Sequence, residues 1–210
     1  MEYLQIETTK PTNACLIRRS GRELVVLLPG LNYTVENPLF YYTGQLLHER
    51  DVDALLVDFT YNRDDTFLNA PGDDRLDRLR TDGQTNMKFA RNLGEYDRVT
   101  IIGKSLGTIA MGWAIDDLPN ARLAWLTPSL GVPGLRAQML RRPNPAFCLI
   151  GTRDPAYSDP LVEELTADGM TVAVIEGADH GVSHTDGAVA SVALVQEAIE
   201  KLALWMDATD

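Results

Sequence analysis

Six short runs of aliphatic and β-branched residues punctuate this chain: ELVVLLPG (23–30), DALLVDFTY (53–61), RVTIIG (98–103), ARLAWLTP (121–128), AFCLIG (146–151) and TVAVIEG (171–177). Runs of this length read as strands buried on both faces, and parallel strands must be joined by crossovers, usually helical. The segments between them are amphipathic and long enough to serve, at 38–50, 74–92, 105–117 and 161–169, with a last helix over 188–206. Gly83 leaves the start of the helix over 74–92 open, and the polar stretch NRDDTFLNAPGDD before it reads as a loop. YLQIET and ACLIRR precede the series as a hairpin at the sheet edge. The pattern predicts an open, mostly parallel, doubly wound α/β sheet of about seven to eight strands with helices on both faces. A length of 210 residues, 45% of them hydrophobic, suits a single domain over 1–210.

Composition narrows the partners. The formal charge of −11 argues against a broad nucleic-acid surface, and the short basic groups RLDRLR and LRR read as solvated helix faces. No apolar run reaches the roughly 20 residues of a membrane span. The start MEYLQIETTK lacks the regions of a signal peptide, so a cytoplasmic protein is expected. Cys15 and Cys148 sit in strand-like surroundings without C-x-x-C spacing and read as buried free thiols. Three histidines, His48, His180 and His184, make a histidine-rich metal site an unsuitable reading.

The stretch VTIIGKSLGTIA offers two chemistries. Its GKS resembles the end of a phosphate-binding loop, but the position that needs the loop's first glycine holds Arg98, and Val99 to Ile102 are strand formers. The alternative template, G-x-S-x-G, fits Gly103, Lys104, Ser105, Leu106 and Gly107 between a strand and a helix. There a sharp turn lifts the serine hydroxyl clear of the sheet, and glycines let helix and strand backbones approach. A serine hydroxyl needs a base and a group to orient that base. GTRDP puts Asp154 just after one strand, and GADHG puts His180 just after the last. In an open α/β sheet, ligands bind at the carboxyl ends of the strands, where all three residues fall.

With GKSLG, GTRDP, GADHG and the LLPG strand end in this order, the chain resembles the α/β-hydrolase superfamily over essentially its whole length. The resemblance implies Ser105 as nucleophile, His180 as general base and then acid, and Asp154 as the residue that fixes the imidazole's tautomer. It implies an oxyanion hole made by the backbone N–H of Leu106 and by that of Leu31, with Asn32 the neighbouring candidate. Asn32, Tyr33, Lys104 and Thr127 are candidates for a substrate pocket, and Lys104 has an alternative role in contact with a nearby acid.

Two departures refine the likeness. Many members carry His-Gly where Pro29 and Gly30 stand, and many insert a cap after the strand that here reads ARLAWLTP. Between 128 and 144 there is room for one short helix, about 134–142, and for no large cap. The resemblance is thus to small, lidless esterases and dienelactone-hydrolase-like proteins acting on small or medium soluble esters or thioesters, without metal or organic cofactor. A non-catalytic scaffold that binds a ligand or partner is the alternative. Asp159 competes with Asp154 but reads as a helix start with Pro160 at the first helical position. His184 competes with His180 but reads as surface loop, and His48 as a solvated residue near a helix end.

Overall fold

The computed structural model describes residues 1–19, 21–141 and 145–208. An antiparallel pair opens the chain, β1 (Glu2–Ile6) and β2 (Thr12–Ile17), followed by β3 (Glu23–Leu28), α1 (Pro38–Glu49) and β4 (Asp53–Asp58). Next come α2 (Asp65–Leu68), α3 (Gly72–Arg91), β5 (Arg98–Ser105), α4 (Leu106–Gly112) and β6 (Arg122–Pro128). The last third holds α5 (Leu135–Leu140), β7 (Ala146–Gly151), α6 (Asp159–Ala167), β8 (Thr171–Ile175) and α7 (Ala188–Asp207). The eight strands form one sheet in the order β1-β2-β4-β3-β5-β6-β7-β8. From β4 to β8 every neighbouring pair is parallel; β2 runs antiparallel to both β1 and β4.

Alternation along the strands divides the core. Leu24, Val26 and Leu28 of β3 point to one face, where Met87, Ile109, Met111, Leu135, Leu161 and Leu165 bring in α3 to α6. Val25 and Leu27 point to the other, against Leu39 and Phe40 of α1 and Leu202 and Trp205 of α7. With both faces covered, polar residues have little place along the strands and collect at their ends.

Five local expectations change. The stretch after β4 holds α2, capped by the Asp64 carboxylate, which accepts from the N–H of Thr66 at 3.1 Å, and α3 begins at Gly72. Gly83 lies inside α3 because the helix crosses α4 there: a Cβ would sit 2.3 Å from the carbonyl oxygen of Ala110. α4 stops at Gly112, a poor helix former, and a single 3-10 turn, Ile115–Asp117, takes over. The basic group RLDRLR is only partly solvated: Arg78 pairs with Asp64 at 2.7 Å and lies over the rings of Tyr61 and Phe67, while Arg80 lies over Trp113. The short helix expected over 134–142 is α5; Arg142 and Asn144 lie outside the described residues. Both cysteines are free thiols, Cys148 buried as expected and Cys15 only half-buried near the sheet edge.

Candidate active site

The site grows from the end of β5. Strand formers carry the chain to Lys104, and Ser105 then turns it with φ 49° and ψ −115° directly into α4. A non-glycine residue in this region is strained, and such strain persists only where its surroundings hold it. Here the hold is close packing: a Cβ on Gly107 would lie 2.0 Å from the carbonyl oxygen of Leu28, so the helix start is pressed against the end of β3. Thr108 adds a clasp, its Oγ1 donating to the Ser105 carbonyl at 2.5 Å and accepting from the N–H of Ser129 at 3.2 Å.

The loops after β7 and β8 reach the same point. His180 Nε2 lies 2.9 Å from Ser105 Oγ, and His180 Nδ1 lies 2.7 Å from Asp154 Oδ2. Asp154 is buried and its second carboxylate oxygen accepts from the N–H of Ala156 at 2.9 Å. Burial pushes its carboxyl up, but the bonds from His180 and Ala156 and the charges of His180 and Lys104 outweigh it, so the group is held below its ordinary range. The His180 loop is shaped by Asp179, whose Oδ1 accepts from the N–H groups of Gly181 (2.8 Å) and Ser183 (2.9 Å).

A serine, an imidazole and a carboxylate in one hydrogen-bonded chain can move a proton from hydroxyl to ring while the carboxylate stabilises the resulting cation. Beside them opens a shallow groove of about 490 Å³, lined by Pro128, Ser129, Leu130, Gly131, Pro155, Ala156, Asp154 and His180. Gly30 lies against the serine from the other side; a Cβ there would be 3.1 Å from that of Ser105. The following residues, Leu31 and Asn32, are exposed, and Asn32 is in the left-handed region.

Solved structures resemble the fold over nearly the whole chain. Est1E from Butyrivibrio proteoclasticus superposes with a TM-score of 0.70 at 14% identity, over 97% of this chain and 100% of its own. A serine hydrolase without a lid from Xanthomonas campestris gives 0.67 at 14% identity, over 100% and 96%. A dienelactone hydrolase from Anabaena variabilis gives 0.65 at 15% identity, over 96% and 95%. The chain has an α/β-hydrolase fold. No family model matches the sequence, and no curated protein matches it either. As expected for a lidless α/β-hydrolase fold, only the short α5 intervenes between β6 and β7 among the described residues.

The sequence candidates separate cleanly within this α/β-hydrolase fold. Ser105, His180 and Asp154 come together. Asp159 is exposed at the start of α6, where its carboxylate accepts from Tyr157 OH at 2.6 Å; Ser158 is the cap, so Pro160 stands at the second helical position and not the first. His184 receives the N–H of Asp186 on its Nδ1 at 3.1 Å and takes no part in the chain. His48 is exposed in the last turn of α1. Of the pocket candidates, Lys104 and Thr127 are 2% and 0% exposed and bond to each other beneath the triad, so they do not line the open groove. Tyr33 is half-buried, its hydroxyl accepting from the N–H of Leu39 at 3.0 Å. Among the described residues no helix is long and apolar enough to cross a membrane, and no three His, Cys, Asp or Glu side chains group as a metal ion would need. Thr108 and Asp179 carry structural tasks at the site that sequence reading did not single out. Asp179 has a signal in retrospect, an aspartate opening a glycine-flanked turn.

Proposed function

We propose that the protein is a serine hydrolase that cleaves a carboxylic ester or thioester through an acyl-enzyme on Ser105. The observation that carries this reading is the continuous chain from Ser105 Oγ through His180 to the buried Asp154, mounted on a strained strand-to-helix turn. His180 Nε2 takes the hydroxyl proton as Oγ attacks the carbonyl carbon, and Asp154 stabilises the imidazolium that forms. The tetrahedral oxyanion is received by the N–H of Leu106 at the start of α4 and by that of Leu31, next to Gly30. Collapse expels the leaving group with the proton from His180. Water, deprotonated by the same ring, then releases the acid.

The groove supports an uncharged, small or medium substrate. Apart from Asp154 and His180 its lining is neutral, and with only α5 between β6 and β7 among the described residues a soluble small molecule can enter directly. The names of the similar structures, a dienelactone hydrolase and a lidless serine hydrolase, fit the same class of reaction. A neutral fluorophosphonate is the direct test. It is expected to label the protein on Ser105, and Ser105→Ala is expected to remove the label and lower ester turnover by about 10⁶-fold. Absence of labelling in the native protein would favour a ligand-binding scaffold instead.

A further inference from the structure

The residue between the first glycine and the nucleophile is a lysine whose side chain is almost wholly buried. Lys104 Nζ donates to the backbone oxygen of His180 at 3.0 Å and to Thr127 Oγ1 at 3.1 Å, and stands 4.4 Å from the centre of the Tyr33 ring. One ammonium group therefore joins the His180 loop, the end of β6 and the loop after β3 that carries Leu31. Thr127 meets it from a left-handed backbone, φ 42°, uncommon for a β-branched residue, at the point where the register of β5 against β6 shifts. A buried charge with no structural partner to relieve it would be expensive. This one has two acceptors and an aromatic face, all belonging to segments that meet at Ser105.

We propose that Lys104 is a positioning residue that holds His180 in register with Ser105 by clamping its backbone carbonyl. The proposal rests on the serine-hydrolase reading given above. Charge-assisted hydrogen bonds are about twice as strong as neutral ones, so the clamp depends on the ammonium keeping its proton. The ionisable groups around it are Asp154 from the loop after β7, Asp179 and His180 from the loop after β8, and Tyr33 from the loop after β3. Burial lowers the Lys104 pKa to about 8, even though Asp154 and Asp179 pull it back up. The neutral amine formed above that pH still has N–H groups but loses the charge that strengthens them.

The test compares native protein, Lys104→Met and Lys104→Arg by the rate of labelling with a neutral fluorophosphonate from pH 6 to 10, and by kcat and KM for p-nitrophenyl acetate. Native labelling should fall as pH rises through about 8. Lys104→Met should still be labelled on Ser105, about ten- to a hundredfold more slowly and without that alkaline limb, the loss falling on kcat and not KM. Lys104→Arg, whose guanidinium keeps its charge, should recover much of the rate and retain it above pH 9. The chain has four lysines, and ¹³Cε-lysine resonances of the native protein give a second measure that needs no variant to fold. The Lys104 signal should titrate together with the labelling rate. A native rate in Lys104→Met, an alkaline limb that survives in it, or a Lys104 signal that titrates apart from the rate would each overturn the proposal. Failure of the native protein to be labelled at all would instead remove the serine-hydrolase reading, and this proposal with it.

Discussion

Charged side chains are buried at both edges of the sheet, yet their partners differ in kind. At the amino edge, Asp53 begins β4 and Arg122 begins β6. Asp53 Oδ1 accepts from the N–H groups of Arg19 (2.5 Å) and Gly21 (3.2 Å), and Oδ2 from Tyr96 OH. Arg122 donates to the carbonyls of Trp205 (2.6 Å) and Met206 (3.0 Å) and stacks over the Trp205 ring, fastening the end of α7 beneath the sheet. These contacts tie a loop, a tyrosine hydroxyl that Arg18 also bonds and a helix end to the sheet, and none of these partners is a nucleophile. At the carboxyl edge, Asp154 leads through His180 to Ser105 and an open groove. Backbone strain marks the same edge: of the five non-glycine residues with positive φ among those described, Asn32, Ser105, Thr127 and Val182 lie there and only Asp51 does not. Burial of charge alone is thus a poor marker of a site. Burial joined to strain, and to a hydrogen-bonded path that ends on a nucleophilic hydroxyl, is a better one.

The sharpest way to break the contrast is to neutralise Asp154 and Arg122 in turn. Asp154→Asn keeps shape but favours the wrong imidazole tautomer. It is expected to lower kcat by about 10⁴-fold, measured on p-nitrophenyl acetate, with the urea midpoint little changed. Arg122→Met should do the reverse. It leaves the carbonyls at the end of α7 without their cation and should cost about 3 kcal/mol in urea unfolding, while the rate of Ser105 labelling stays at the native level. A loss of activity in Arg122→Met beyond its loss of folded protein would mean that the two edges are coupled and the distinction fails.

Sequence showed more of the carboxyl edge than of the amino edge, for a physical reason. Strand ends there are followed by glycines and by Ser, Asp and His, residue types whose chemistry constrains their surroundings, so Ser105, Asp154 and His180 could be placed from order alone. Asp53 and Arg122 sit in runs that read simply as strands, and their partners lie across the fold from them, which no local pattern encodes. The same limit explains Gly83, which reads as a weak spot in a helix until the backbone of Ala110 is found against it. Lys104 lies between these cases: its place in GKSLG drew attention to it, but its inward direction depends on Thr127, Tyr33 and the His180 carbonyl converging from three loops.

Lys104 also yields the smallest effect and the finest division between the edges. Its folded pKa, about 8, lies below the value near 10.4 of an unfolded lysine, so between these values the unfolded chain binds more protons. Stability contributed by this group therefore rises with pH across that window, by at most about 1.4 kcal/mol per pH unit. Cys148 acts in the opposite sense, because burial and then the charge of Asp154 push its thiol up to about 12, and the unfolded chain loses that proton first. The urea midpoint of the native protein alone would mix the two, whereas the difference between native and Lys104→Met from pH 7.5 to 10 isolates the lysine. That difference should move toward the native protein as pH rises, over the range in which native labelling of Ser105 falls. A residue that only fastened the fold, as Arg122 does, would not gain stability on losing the charge it uses. Opposite slopes of stability and activity would therefore assign Lys104 to the site and not to the scaffold.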